Sequence, residues 1–185
     1  MSIQKEIEKK IPELKKYLLK SIKLKKEIAG AYKITNQPID FLELILEMRY
    51  GNFHSVYNDI KAEVLVVPFH THLHKYDPPS GHDIIAMLYR NFKQESELSI
   101  VIDLNAVYIY EPRVILMGKL SELFAVCDED NLFQSWEKEY IDKINNIVIK
   151  YHEDKNKGDY LKEMYRLGII VNIIDGKFYE KDLPS

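Results

Sequence analysis

Apolar residues recur at helix-like intervals from the start of the chain. Ile3, Ile7, Leu14, Tyr17, Leu18, Leu19, Ile22 and Leu24 stand among lysines and glutamates, which predicts one or two amphipathic helices over residues 3 to 25, with Pro12 placed to open the second. Residues 27 to 34 read as a strand, ended by the turn-forming Thr35-Asn36-Gln37-Pro38. Residues 39 to 50 are apolar on most sides through Phe41, Leu42, Leu44, Ile45, Leu46 and Met48, and predict a buried or interface helix closed by Gly51-Asn52. Strands are then expected over 53 to 60 and 64 to 72, a helix over about 80 to 92, and a strand over 98 to 103. Asp103-Leu104-Asn105 turns the chain into a strand over 106 to 110, and Pro112 separates it from a further one over 114 to 120.

Past the acidic Asp128-Glu129-Asp130 the period changes to that of a long amphipathic helix, residues 131 to 156. Trp136, Tyr140, Ile144, Ile147, Val148 and Tyr151 form its apolar stripe. A shorter helix over 159 to 166 stops at Gly168, and 169 to 174 form a last strand followed by an Asp175-Gly176 turn. The expected fold is therefore a mixed β-sheet flanked by helices, of α/β or α+β class. It forms a single domain over 1 to 185, with a strand-rich core to about residue 120 and a helical C-terminal extension and final strand from about 131. The most credible internal boundary lies near residues 128 to 131.

Composition narrows the picture. With 185 residues, 46% of them hydrophobic and 30% charged, the chain suits one packed domain. A formal charge of −3 gives no reason to expect nucleic acid or an anionic membrane as partner. The lysines at 9, 10, 15, 16, 20, 23, 25 and 26 are locally basic, and read first as a solvated helix face and second as a docking surface. A lone cysteine, Cys127, excludes an internal disulfide and a zinc site built on several thiolates, and fits a reducing, cytoplasmic setting. No apolar run approaches the roughly 18 residues that span a bilayer.

Candidate chemistry concentrates in one stretch. His70-Thr71-His72 ends a β-branched run, and Ser80 and Asp83 follow where a helix should begin. Alternate residues of a strand share a face, so the two imidazoles can meet at one metal ion and Asp83 can supply a third ligand. Nitrogen and oxygen ligands in that number leave the fourth tetrahedral position to water, as in catalytic zinc sites. Taken separately, Ser80-x-x-Asp83 is also a helix capping box, and the histidines could be hydrogen-bonded residues at a strand end.

The pattern H-T-H-x7-S-x-x-D resembles the signature of the JAB/MPN metalloproteases, the JAMM type, which cleave peptide or isopeptide bonds at the C-terminal end of ubiquitin and ubiquitin-like proteins. The family also carries a glutamate on an earlier strand within E-x-x-G-x-hydrophobic, matched here by Glu27-Ile28-Ala29-Gly30-Ala31-Tyr32. The likeness covers about residues 12 to 120. It implies a JAB/MPN-like (cytidine-deaminase-like) fold and a Zn²⁺ ion held by His70, His72 and Asp83. It implies Glu27 as general base, Ser80 as hydrogen-bond donor to the oxyanion, and the C-terminal tail of ubiquitin or a ubiquitin-like protein as substrate. A complex partner or a homodimer is also compatible with it. The family has proline after the second histidine, where this chain has Leu73 and then His74; His74 and His82 read as bystanders or outer-sphere residues. The alternatives are a non-catalytic scaffold of the same fold and a small-molecule metallohydrolase. Residues 36 to 62 are the candidate specificity insertion.

Overall fold

The computed structural model describes residues 3–34, 42–50, 66–126 and 130–176. The turns expected near 35 to 38 and at 51 to 52, the strand expected at 53 to 60 and Cys127 lie outside them. Eleven elements are present among these residues: α1 (Ile3–Leu24), β1 (Ile28–Ile34), β2 (Leu42–Tyr50), β3 (Val66–Thr71), α2 (Gly81–Phe92), β4 (Ser99–Ile102), β5 (Ala106–Pro112), α3 (Val114–Val126), α4 (Asp130–Asp154), α5 (Lys157–Arg166) and β6 (Ile169–Asp175).

α1 is one continuous helix that passes through Pro12. Ile7, Leu14 and Leu18 are fully buried, so the apolar stripe keeps phase across the proline, which lies on the exposed side. The strands form one sheet in the order β2-β1-β3-β4-β5-β6. β3 and β4 run parallel, joined by the crossover through α2, and every other neighbouring pair is antiparallel. Pro68 has no N–H to give, and the β4 ladder begins at the next residue, Phe69.

Two apolar layers sandwich the sheet. On one face α1 packs Ile7, Leu14 and Leu18 on Tyr32, Val67, Phe69, Ile100, Ile102, Val107 and Ile109. On the other, α2 to α5 cover Val101, Tyr108, Tyr110, Ile169 and Val171. The stripe expected on the long helix is in place: Tyr140, Ile144 and Tyr151 are buried in this second layer, with Trp136, Ile147 and Val148 packed against it. No helix among the described residues is long and apolar enough to cross a membrane.

Two elements differ from the sequence reading. Residues 42 to 50, read as an apolar helix, form β2, a hairpin partner of β1. Leu42, Leu44, Leu46, Met48 and Tyr50 alternate with Glu43, Glu47 and Arg49, a period of two that the density of apolar residues obscures. The β1–β2 register shifts between Ala29 and Ala31, so Gly30 sits at a bulge. Residues 114 to 120, read as a strand, open α3. Leu116 and Leu120 are buried, with Leu123 and Phe124 packed behind them, a helical spacing hidden behind the β-branched start Val114-Ile115, which is exposed.

Gly81 begins α2 in contact with α4. A Cβ built there would lie 2.7 Å from the Ile141 carbonyl oxygen and 2.9 Å from its Cα, both backbone atoms that cannot swing aside. Gly81→Ala should therefore destabilise the protein by about 1–3 kcal/mol despite the better helix propensity of alanine. Urea unfolding measures this, and an unchanged midpoint would show that α2 is not held this tightly.

Candidate metal centre

The centre lies where β1 begins, β3 ends and α2 starts. β1 and β3 are antiparallel with Ala29 opposite His70, and continuing that register by two residues sets Glu27 opposite His72. Directly opposed residues share a face, as do residues two apart on one strand, so Glu27, His70 and His72 all project toward the α2 side. The loop from β3 to α2 then brings Ser80, the N-cap of α2, and Asp83 in its first turn over the same strand end.

His70, His72 and Asp83 converge. Their closest atoms are His70 Nε2 to His72 Nε2 at 3.0 Å, His70 Nε2 to Asp83 Oδ1 at 3.1 Å and His72 Nε2 to Asp83 Oδ2 at 3.6 Å. Ligands of a tetrahedral ion with bonds of about 2.0–2.1 Å stand roughly 3.3 Å apart, so this spacing suits such an ion. The donor orientations agree. His72 Nδ1–H donates to the Asp77 carbonyl at 2.7 Å, which leaves the Nε2 lone pair facing the centre. Asp83 divides its oxygens: Oδ2 accepts from the Ser80 N–H at 2.8 Å and its hydroxyl at 2.7 Å, while Oδ1 faces His70. These three residues can hold a metal ion.

Ser80 is the N-cap of α2, its hydroxyl also accepting from the Asp83 N–H at 3.3 Å, so the capping box is present. Capping and metal ligation are compatible here because they use different oxygens of Asp83. Asn145 of α4 accepts from the Gly81 N–H at 2.8 Å and satisfies another exposed donor of the helix start. His74 and His82 are exposed and do not belong to the convergent group.

Thr71 faces the other way and is fully buried. Its Oγ1 accepts from the Ile28 N–H at 2.9 Å and lies 2.7 Å from the Ser21 hydroxyl of α1, which donates to the Lys26 carbonyl. These bonds tie the residues on both sides of Glu27 to the histidine strand, so the middle residue of the H-T-H triplet sets where the glutamate sits.

Glu27 is 5% exposed. Burial pushes its pKa up from 4.5 to about 7; His72 pulls it down, and the carboxylates of Asp83 and Asp77 push it up. Asp83 goes the other way: burial opposes its charge, but His70, His72 and the Ser80 hydroxyl hold it well below the usual carboxylate range. Two carboxylates in one pocket are thus driven apart, one toward a proton acceptor that works near neutrality and one toward a permanent anion.

Of the residues singled out from sequence, the structure brings His70, His72 and Asp83 together, with Ser80 capping α2 beside Asp83, and sets Glu27 just before β1 and His72 just past β3, each read from sequence as inside its strand. Sequence reasoning missed Asp77, Asn145 and Ser21. Asp77 acts through its backbone carbonyl, which carries no side-chain signature, and the other two lie far away in the chain. Comparison with family models, curated proteins and solved structures finds no match to this chain.

The raised Glu27 pKa has a consequence for stability. A carboxyl more basic folded than unfolded favours the native state in its protonated form, so its contribution is complete below pH 4.5 and lost as pH rises through 7. For metal-free protein, wild type should therefore lose about 2–3 kcal/mol relative to Glu27→Gln between pH 5 and pH 8. Parallel denaturant titrations of the two proteins measure it, and a pH-independent difference would contradict the buried, raised carboxyl.

Proposed function

We propose that this chain is a zinc-dependent hydrolase of the JAB/MPN, JAMM type, which cleaves ubiquitin or a ubiquitin-like modifier from an amine at the modifier's C-terminal tail. The observation that carries the reading is the convergence of His70, His72 and Asp83 beneath a buried glutamate of raised basicity. The family and the substrate class are proposed from the resemblance of the E-x-x-G and H-T-H-x7-S-x-x-D pattern to the signature of that family. His70, His72 and Asp83 would hold the ion, which when bound would supply Lewis acidity and make water a better nucleophile near neutral pH.

The protein side chains do the rest. Glu27 would take a proton from the attacking water and return it to the leaving nitrogen, so it must be charged at the first step and neutral before the second. Ser80 turns its hydroxyl from Asp83 to the developing oxyanion. Its own N–H continues to hold Asp83 Oδ2, so the ligand keeps its position during that turn. The extended modifier tail adds as a strand along a sheet edge, a mode that reads main chain and suits a glycine-rich terminus.

Metal analysis of the purified protein should find one equivalent of zinc. His70→Ala and Asp83→Ala should each lose it, and full occupancy in both would remove the ligand assignment. Glu27→Gln should keep the metal and lose turnover on ubiquitin or ubiquitin-like fusions; retained activity would sink its role as base. Absence of zinc from wild type, with the fold intact, would favour a scaffold instead.

Ser80→Ala separates two roles of one hydroxyl. Loss of the cap should cost about 1 kcal/mol of stability. Loss of the oxyanion donor should lower kcat about 100-fold or more with zinc content unchanged. A normal kcat would leave Ser80 as a cap alone.

A further inference from the structure

Asp103 is fully buried at the end of β4, one strand across from the histidines. No lysine, arginine or histidine pairs with it among the ion pairs of the described residues. Instead both oxygens are filled by neutral donors. Oδ1 accepts from the N–H groups of Asn105 at 2.6 Å and Ala106 at 2.7 Å, which closes the turn between β4 and β5. That half is local, and asparagine or serine could supply it equally well.

The other oxygen reaches across the fold. Oδ2 accepts from the Tyr108 hydroxyl at 3.0 Å and from the Asp77 N–H at 2.7 Å, 26 residues away in the chain. Asp77 is the residue whose carbonyl accepts from His72 Nδ1 at 2.7 Å. Its N–H and C=O are therefore both committed, one to Asp103 and one to the imidazole, which fixes the two dihedral angles between them. The preceding Tyr76 is in the left-handed region with φ of +57°, a conformation that a side-chain-bearing residue keeps only when its surroundings impose it.

We propose that Asp103 is a positioning residue for His72: through the Asp77 backbone its carboxylate fixes the imidazole's tautomer and angle, and with them the strength of metal binding. The inference rests on the metal reading of the His70, His72 and Asp83 group. Asparagine at 103 can still close the turn, but the atom facing the Asp77 N–H becomes an amide donor instead of an acceptor. The loop should then move and the Asp77 carbonyl should release His72 Nδ1. Outer-sphere partners of metal-bound histidines contribute about 10- to 100-fold to affinity, which sets the expected scale.

Three proteins make the test: wild type, Asp103→Asn, and Tyr108→Phe. The last removes a donor from the same oxygen but leaves the Asp77 bond. The metal-free proteins come first, by NMR of the histidine ring nitrogens. His72 should be the Nδ1–H tautomer in wild type and Tyr108→Phe, and a mixture in Asp103→Asn. Titration with Co²⁺ should then show affinity reduced 10- to 100-fold and an altered visible spectrum in Asp103→Asn alone. Circular dichroism checks folding; if Asp103→Asn does not fold, Asp103→Ser keeps the turn acceptor and is measured in its place.

An unchanged His72 tautomer, or wild-type Co²⁺ affinity and spectrum in the folded Asp103 variant, overturns the proposal. So does an equal loss in Tyr108→Phe, which would mark a general packing effect. Wild type that takes up no Co²⁺ overturns the metal reading instead, and the tautomer measurement still decides whether Asp103 positions His72.

Discussion

The register of β3 against β1 is the constraint on which the rest of this structure depends. Ala29 opposite His70 sets one face of β3 toward α2 and the other toward α1. The histidines occupy the first face, and Phe69 and Thr71 the second, with Phe69 stacked on Tyr17 of α1. A slip of one residue would turn both imidazoles into the α1 layer and Thr71 toward Asp83. That alternative is costly because Val67 and Phe69, both fully buried, would leave their packing against α1 and the two histidines would enter that apolar layer in their place. The same apolar residues that hold the sheet to α1 therefore set the face from which the histidines project, and the Asp77 carbonyl then sets the orientation of the His72 ring.

The strand end concentrates polar groups that are expensive to bury. Glu27, Ser21, Thr71, His72 and Asp103 are all less than a tenth exposed. Hydrogen bonds satisfy most of them: Ser21 and Thr71 bond each other and the backbone around Glu27, and Asp103 is filled by four donors. The residual cost falls on Glu27, whose charge has carboxylates near it and no positively charged lysine or arginine among the causes of its shift. A fold gains no stability from such a group. Burial raises its pKa toward neutrality, and shifts of this kind gather at functional sites, which is what marks Glu27 as a candidate residue.

Legibility followed the source of each signal. Strong period gave α4 and α5 in advance, a capping box gave the start of α2, and one or two helices were expected where α1 is continuous; β1, β3, β4, β5 and β6 were read as strands from short apolar runs bounded by turns. β2 and α3 were misread because both are dense in leucine, isoleucine and methionine, so composition spoke louder than spacing. For β2 the deciding partner is β1, which a window of nine residues cannot contain. For α3 the β-branched opening residues are exposed, and the helix is set by Leu116 and Leu120 against the second core layer. The site was legible where side-chain type carries the chemistry, as with two histidines and three acceptors at fixed distances. It was not legible where backbone atoms act: the Asp77 carbonyl and N–H make their bonds through the main chain, even though its carboxylate also lies 3.6 Å from His72 Nδ1.

The helices beyond residue 130 are structurally part of this centre rather than an appendage to it. α2 delivers Ser80 and Asp83, and its first turn rests on α4 through Gly81 against Ile141 and through the Gly81 N–H held by Asn145. α4 in turn packs on α5, and β6 returns to close the β5 side of the sheet along its full length. Tyr76, in the loop that carries Asp77, stacks edge-on against Tyr151 of α4. Two opposite supports thus meet at His72 and Asp83: the β4–β5 turn through Asp103 from the sheet, and α4 from the helical layer. The ligand side chains lie 3.0 to 3.6 Å from one another, and each arrives on an element whose position is also set by packing elsewhere. A group of side chains supported from two sides in this way is held in place by the fold as a whole and not by its own contacts alone.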